Sequence, residues 1–203
     1  MRLYHSPTTP FGRKVMVQIL ELGLMDRIDI TNVMGTPLQT GTLPVDRNPL
    51  GKIPALERDE GDVIYDSRVI CRYLNDFAAG AMYPAGPKLW RTLTLEATAD
   101  GMLDAGILIL YEGRLRPAEK QFPDWVEAQW AKISRALDAI ESHWQPELNA
   151  PLNMAQIAVA CTLGWLDFRL DSRGWRNGRP VLAAWEAEFA QRPAMLATRP
   201  VAV

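Results

Sequence analysis

Four short stretches near the start of the chain have patterns of apolar and polar residues that are typical of strands. The first two are Arg2–His5 and Ile28–Ile30. The other two, at 55–57 and 63–65, flank a loop of charged residues and glycine, which is the pattern of a hairpin. We therefore expect a small sheet in this part of the chain.

Apolar residues repeat every three or four positions after two sites that favour the start of a helix. Thr9–Pro10 combines a common N-cap residue with proline, which suits the first helical position, and Asp66–Ser67 is a second favourable cap. The order is strand–helix–strand, followed by strand–strand–helix. It predicts parallel pairing through a right-handed crossover and then an antiparallel hairpin on the same sheet.

The spacing is helical throughout the rest of the chain, after a segment at 78–88 that is rich in alanine, glycine and proline. Two of these helices have polar residues typical of a capping box at their start. Asp124 with Glu127 begins one helix, and Asn153 with Gln156 begins another. The pattern predicts an α/β domain over 1–77, a linker over 78–88 and an all-helical domain over 89–203.

Composition limits the classes of function to consider. The chain has 203 residues, of which 48% are hydrophobic and 23% are charged, as in an ordinary globular protein. Its 22 lysines and arginines are balanced by 24 aspartates and glutamates, so we expect neither a nucleic-acid partner nor a membrane partner. No apolar run has the roughly 20 residues of a membrane helix, and no secretory leader is visible. We expect a cytoplasmic protein.

The two cysteines, Cys71 and Cys161, lie in apolar surroundings. Cysteine is among the residues most often found buried, so we expect two buried thiols. A disulfide between them is the alternative. The two histidines, His5 and His143, are isolated in the sequence, so no metal cluster is expected.

The most specific motif is the segment from Asn48 to Leu56, which reads NPLGKIPAL. Pro54 comes just before a predicted strand, where a trans proline would remove a hydrogen-bond donor from the sheet. A cis bond between Ile53 and Pro54 would turn the chain and leave the backbone of Ile53 exposed as a strand edge. Such an edge can bind an extended peptide. A plain turn with trans Pro54 is the alternative.

This motif, followed ten residues later by Asp66–Ser67, resembles the glutathione site of the cytosolic glutathione transferase superfamily. The similarity includes the two-domain order, and it implies a thioredoxin-like first domain. It also implies that Ile53 binds the cysteinyl part of glutathione through its backbone. Ser67, at a helix N-terminus that favours anions, would hold the γ-glutamyl carboxylate, and Asp66 the γ-glutamyl ammonium. Lys52 would reach the glycyl carboxylate or remain a solvated surface charge.

In the superfamily, a tyrosine at the end of the first strand or a serine just after it activates the thiol of glutathione, or a cysteine forms a mixed disulfide with it instead. Here the matching loop contains no cysteine, and Thr9 occupies the position of the serine or cysteine. The Thr9 hydroxyl would contact the thiolate or only cap its own helix. Thr8 and Tyr4 are the other candidate hydroxyls, and Arg13 would add positive potential or be solvated.

Two carboxylates, Asp100 and Asp104, lie one turn apart on a stripe that is otherwise apolar. A carboxylate in such a place is costly unless it is paired, so we expect the stripe to meet a cleft or a partner. The resemblance implies that Asp100 reaches the γ-glutamyl ammonium in the neighbouring subunit of a homodimer. A local pair with an arginine is the alternative.

The resemblance implies a protein that binds glutathione as co-substrate, without a tightly bound cofactor, and conjugates it to a small hydrophobic electrophile. The superfamily commonly has aspartate where Gln156 stands, and glutamine can still complete the cap. Two other functions remain open: a glutathione-binding or interaction module without catalysis, and a glutathione-dependent reductase of disulfides or peroxides. The electrophile would bind between the domains, against Phe11, Ile107, Tyr111 and Trp165.

Overall fold

The computed structural model describes residues 1–201, and these form two compact units. The first contains Met1–Tyr83 together with the described residues from Pro193 onward, and the second is Pro84–Arg192. The division after Tyr83 falls inside the predicted linker. The predicted helical domain included the C-terminal segment, but in the structure this segment groups with the first unit although it is far away in the sequence.

The first unit contains a three-stranded sheet with the strand order β2-β1-β3. β1 is parallel to β2, as predicted, and antiparallel to β3, a pairing that the sequence did not specify. Its elements are β1 (Arg2–His5), α1 (Pro10–Glu21), β2 (Asp29–Asn32), β3 (Ala55–Glu57), α2 (Ser67–Phe77) and, near the C-terminus, a short helix described below.

The predicted fourth strand is reduced to a single bridge between Leu56 and Ile64. The loop before it is closed by a side chain, since Nε of Arg58 donates to the carbonyl of Asp62 at 2.9 Å. A side chain thus engages the carbonyl of Asp62 at the loop end of the hairpin, so the ladder does not extend beyond the bridge.

The core of the first unit lies between the sheet and its two long helices. Apolar side chains that are fully buried there include Leu3, Val15, Ile19, Leu56, Ile70 and Leu74. Gln18 is also fully buried, and its side-chain amide donates to the carbonyl of Cys71 at 2.8 Å, which ties α1 to α2. Cys71 and Cys161 are both buried and neither forms a disulfide.

The second unit is helical. Its long first helix packs against the second and fourth helices of the unit, and the core includes Leu103, Ile133, Leu137, Ile157 and Trp165. No helix within residues 1–201 is long and apolar enough to cross a membrane. The helices are α3 (Pro87–Leu115), α4 (Pro123–His143), α5 (Gln145–Leu148), α6 (Met154–Leu170) and α7 (Pro180–Phe189), and α8 (Pro193–Ala197) follows in the first unit.

One of the two predicted capping boxes is confirmed. Asn153 caps α6, and Gln156 bonds back to the backbone N–H of Asn153 at 3.1 Å. The capping box predicted at Asp124 and Glu127 is wrong. Because Pro123 suits the first helical position, α4 begins there with Phe122 as the cap, and Asp124 falls within the first turn.

Candidate functional site

The loop that follows β1 lies beside the segment that precedes β3. The antiparallel register pairs Tyr4 with Ala55. Continuing this register by two residues brings Ser6 to the neighbourhood of Ile53. The strands therefore place the loop containing Thr9 and the Ile53–Pro54 bond at the same edge of the sheet.

The start of α2 reaches the same edge through the bridge between Leu56 and Ile64. Continuing that antiparallel register brings Asp66 to the neighbourhood of Pro54, and Ser67 comes next. Three segments that the sequence separates by tens of residues thus converge, and all three belong to the first unit.

The Ile53–Pro54 peptide bond is cis, which decides between the two alternatives that the sequence left open. The Tyr65–Asp66 bond is cis as well. Within residues 1–201, neither the N–H nor the C=O of Ile53 forms a hydrogen bond. Both groups thus remain available to an extended ligand.

Asn48, which the sequence analysis did not assign a role, holds this segment in place. It is only 1% exposed, its Nδ2 donates to the carbonyl of Lys52 at 2.8 Å, and its Oδ1 accepts from the N–H of Leu50 at 3.0 Å. Asparagine before proline commonly bonds to the backbone of its own turn, so the Asn-Pro pair is a signal that could have indicated this role. The bond fixes the residue immediately before Ile53.

Ser67 is the first residue of α2 and is 2% exposed. Its hydroxyl makes no hydrogen bond to any other residue in 1–201, and its N–H lies in the first turn, where helical N–H groups have no carbonyl partner. Ser67 thus offers two donors at the positive end of a helix, which favours an anion.

Asp66 caps α2, with Oδ1 accepting from the N–H of Arg68 at 3.0 Å. Its Oδ2 accepts from the Arg68 guanidinium at 3.0 Å. Burial raises the pKa of Asp66, but the hydrogen bonds and charge of Arg68 together outweigh it, so the pKa lies below its usual value. Asp66 is therefore an ionised carboxylate at neutral pH. Arg68 was not singled out from the sequence, since its side chain is an ordinary one for an exposed helix turn.

Thr9 is the N-cap residue of α1, as predicted, but its side chain makes no capping hydrogen bond. Its backbone is held on both sides, since the N–H donates to the carbonyl of Ser6 at 3.0 Å and the C=O accepts from Arg13 at 3.0 Å. The alternative in which the Thr9 hydroxyl only caps the helix is wrong. That hydroxyl has no hydrogen-bond partner among residues 1–201.

The two other candidate hydroxyls are engaged with protein groups. Tyr4 donates from its hydroxyl to Oε2 of Glu57 at 2.8 Å, across the β1–β3 pair. The hydroxyls of Thr8 and Ser6 are hydrogen-bonded to each other at 3.2 Å. Of the three candidates, Thr9 has the hydroxyl that is not committed to another described residue.

Arg13 lies one turn into α1, and the alternative in which it is solvated is wrong. It is 6% exposed, and its guanidinium donates to the carbonyl of Met195 at 3.1 Å and to Oγ1 of Thr198 at 3.4 Å. Arg13 therefore fastens the C-terminal segment to α1. It is not solvated, and its donors point to that segment.

The remaining predicted residues are distributed over both units. Lys52 is exposed in the first unit, whereas Asp100 lies on α3 in the second unit and is 3% exposed. Asp104 is exposed, so only Asp100 of the two carboxylates is buried on the apolar side of α3. Each of these two carboxylates has an interaction with another group.

The residues predicted for the electrophile pocket also belong to different units. Trp165 is 2% exposed, and Gly106 gives its ring room in the core, since a Cβ at position 106 would lie 2.5 Å from it. Trp165 is thus a core residue of the second unit. Phe11, Ile107 and Tyr111 are half-buried, and a pocket between the units stays a prediction.

Comparison with known proteins places these features in one family. Residues 8–76 match the family "Glutathione S-transferase, N-terminal domain", and residues 123–188 match "Glutathione S-transferase, C-terminal domain". The chain is 35% identical to the GST-like protein YibF of Escherichia coli (strain K12), over 98% of both chains.

Solved structures agree. A glutathione transferase family member from Pseudomonas fluorescens Pf-5, with bound glutathione, is 45% identical over 99% of each chain, with a TM-score of 0.96. A glutathione S-transferase from Methylobacillus flagellatus KT, also with glutathione bound, is 33% identical over 98% of this chain and 99% of its own, with a TM-score of 0.86. The chain belongs to the glutathione transferase superfamily, and the predicted thioredoxin-like domain followed by a helical domain is confirmed.

Proposed function

We propose that this protein binds glutathione at the edge formed by Ile53, Ser67 and Thr9 and conjugates its thiolate to a small hydrophobic electrophile. The observation that carries the proposal is the convergence of unpaired groups there. The backbone of Ile53, the N-terminal donors of Ser67 and the hydroxyl of Thr9 all lack partners within residues 1–201.

Each part of glutathione has a suitable partner among these groups. The cysteinyl part is an extended peptide unit, which pairs with the backbone of Ile53 as one more strand. The γ-glutamyl carboxylate binds Ser67 at the helix N-terminus, and the γ-glutamyl ammonium binds Asp66, which its lowered pKa keeps ionised. Lys52, which is exposed, reaches the glycyl carboxylate.

The thiol is the reacting group. A free thiol has a pKa of about 8.5, so only a small fraction is nucleophilic thiolate at neutral pH. A hydrogen bond donated by the Thr9 hydroxyl favours the thiolate and lowers that pKa. The thiolate then forms a carbon–sulfur bond with the electrophile, which expels its leaving group with the bonding electrons, as a chloronitrobenzene expels chloride. No protein cysteine takes part because the loop contains none.

The proposal includes a cytoplasmic homodimer in which Asp100 of one subunit contacts the γ-glutamyl ammonium held by the other. The burial of this carboxylate on α3, against the exposure of Asp104 one turn later, supports a specific role for it.

Binding is tested by thermal denaturation with glutathione and with cysteinylglycine, which lacks the γ-glutamyl part. A ligand that binds the native state raises the melting temperature by mass action. We expect a rise with glutathione, a much smaller one with cysteinylglycine, and loss of the difference in Ser67→Ala. If neither compound raises the melting temperature at millimolar concentration, the proposed site is wrong.

Catalysis is tested with a chloronitrobenzene acceptor and the matched pair Thr9→Ala and Thr8→Ala. A hydrogen bond to a charged group contributes about 1.5 to 3 kcal/mol, so Thr9→Ala should reduce kcat roughly tenfold to a hundredfold while glutathione still binds. Thr8→Ala, whose hydroxyl is engaged with Ser6, should have a small effect. The reverse order of effects would move the role to Thr8.

Two results would point to the other functions. Saturable glutathione binding without turnover of any acceptor indicates a binding module. Reduction of a small hydroxyethyl disulfide, with no conjugation, indicates a glutathione-dependent reductase.

A further inference from the structure

Thr9 directs its methyl group, and not its hydroxyl, at the first turn of α1. A threonine N-cap normally accepts a hydrogen bond through Oγ1 from the N–H two or three residues later, and the third residue here is Gly12. A Cβ at position 12 would lie 2.6 Å from Cγ2 of Thr9, which is closer than two carbons can approach. The methyl therefore fills space that any side chain at position 12 would need.

His5 bounds the same space from the sheet. A Cβ at position 12 would also lie 3.1 Å from Nδ1 and 3.2 Å from Cβ of His5, which is 7% exposed at the end of β1. The space that holds the Thr9 methyl is thus bounded by Gly12 of α1, which has no side chain, and by the buried ring of His5. Because threonine is β-branched and has few χ1 rotamers, fixing its methyl also fixes the direction of its hydroxyl.

The arrangement weakens the helix in two ways. Glycine is a poor helix former, and the capping bond from Thr9 is missing. As far as helix propensity and capping alone decide, alanine at position 12 with a capping serine or threonine would give a more stable first turn. Because the sequence has neither a better helix former at position 12 nor a capping bond from Thr9, this geometry needs another reason.

We propose that Gly12 is a positioning residue, whose missing side chain seats the methyl of Thr9 and so turns the Thr9 hydroxyl away from α1 and toward the thiol of glutathione. This proposal rests on the proposed function. It explains why the hydroxyl has no partner in residues 1–201, and it accounts for threonine at a position where the superfamily commonly has serine or cysteine.

The test compares four proteins: the wild type, Gly12→Ala, Thr9→Ser and the double variant. The pKa of bound glutathione is followed by the ultraviolet absorbance of its thiolate, together with kcat and KM. Gly12→Ala should raise the thiol pKa and lower kcat by about tenfold, the effect of weakening one hydrogen bond to a charged sulfur, with KM for glutathione changed less than about twofold. Since serine has no methyl, the same alanine change should have a much smaller effect in the Thr9→Ser background.

The control is Gly113→Ala, which adds the same methyl to an exposed helical glycine with nothing within 4 Å of it. It should leave kcat and the thiol pKa unchanged. Equal losses from Gly12→Ala in both backgrounds, or no loss in either, would overturn the proposal. Purely structural damage is recognised by a fall in glutathione binding and melting temperature that Thr9→Ser does not relieve, and this outcome also counts against it.

Failure of the proposed function is distinguished by the wild type. If it binds glutathione without turnover, conjugation is refuted, and the thiol pKa of the four proteins still decides the role of Gly12. If it does not bind glutathione, the proposed site is refuted and the direction of the hydroxyl toward the thiol is refuted with it. Melting temperatures without ligand then show separately whether the methyl of Thr9 and a side chain at position 12 exclude each other.

Discussion

Gln156 shows how much one side chain can do at the start of a helix. Its Oε1 accepts from the N–H of Asn153 at 3.1 Å, which completes the capping box of α6. Its Nε2 donates to the carbonyls of Glu147, Leu148 and Ala150 at 3.0, 3.0 and 2.8 Å. A carboxylate could accept the first bond but could donate none of the others. The amide thus joins the end of α5 to the start of α6.

The change Gln156→Glu keeps the shape and replaces the donor with an anion that faces these carbonyls. The site is 3% exposed, so we expect a loss of about 3 kcal/mol in the free energy of unfolding, measured in urea. Gln191→Glu is the control, because Gln191 is exposed and its amide makes a single long bond of 3.4 Å to the carbonyl of Ala187. That change should stay within about 0.5 kcal/mol. Similar losses in both would contradict the role assigned to the Gln156 amide.

At the scale of elements, the sequence predicted those features whose cause is local. Asn153 and Gln156 form the expected cap because the bonds span three residues, whereas a proline placed before a strand left both the cis and the trans form of Ile53–Pro54 open. Arg13 could not be understood in this way, because its partners are Met195 and Thr198, more than 180 residues away. The local pattern indicates which element a residue belongs to and which face it occupies. Its hydrogen-bond partner, in contrast, depends on how distant segments of the chain pack together.

Besides the contacts of Arg13, the sequence did not reveal a second contact, which joins α4 to the start of α7. Arg179 immediately precedes α7 and is 7% exposed. Its Nε donates to Asp138 at 2.8 Å, one terminal nitrogen to the carbonyl of Trp175 at 2.8 Å, and the other to the hydroxyl of Ser134 at 2.7 Å. One buried guanidinium therefore connects α4 with the turn before α7.

Arg179→Met should lower the free energy of unfolding by about 3 kcal/mol, because a buried carbonyl and a hydroxyl lose their donor. The control is Arg173→Met. Arg173 also pairs with α4, through Glu127 at 2.7 Å, but the Glu127 side chain is 61% exposed. A pair whose carboxylate is solvent-exposed contributes about 0 to 1 kcal/mol, so this change should cost about 1 kcal/mol or less. Equal effects in chemical denaturation would show that burial of the Arg179 network adds nothing.

At the scale of the whole molecule, the open question is whether one chain is enough to form a site. The groups proposed to bind glutathione through Ile53, Ser67 and Thr9 belong to the first unit, whereas Asp100 is buried on α3 in the second. We propose that Asp100 acts on the glutathione of the neighbouring subunit. In a symmetric dimer, each subunit would then contribute its Asp100 to the glutathione site of the other.

Mixed dimers of Thr9→Ala and Asp100→Asn decide between action within a subunit and action across the interface. Thr9→Ala alone should keep only about a hundredth to a tenth of the wild-type kcat, and Asp100→Asn should also be strongly impaired. Asparagine keeps the size of the buried aspartate. If Asp100 acts across the interface, a mixed dimer places both defects in one site and leaves the other site intact. Co-refolding equal amounts makes about half of all dimers mixed, so roughly a quarter of wild-type activity should return. If Asp100 acts within its own subunit, both sites of a mixed dimer carry a defect, and activity stays at the level of the separate variants.

Size-exclusion chromatography of the co-refolded protein shows whether dimers form, and a monomer that turns over glutathione at full rate would refute the shared site.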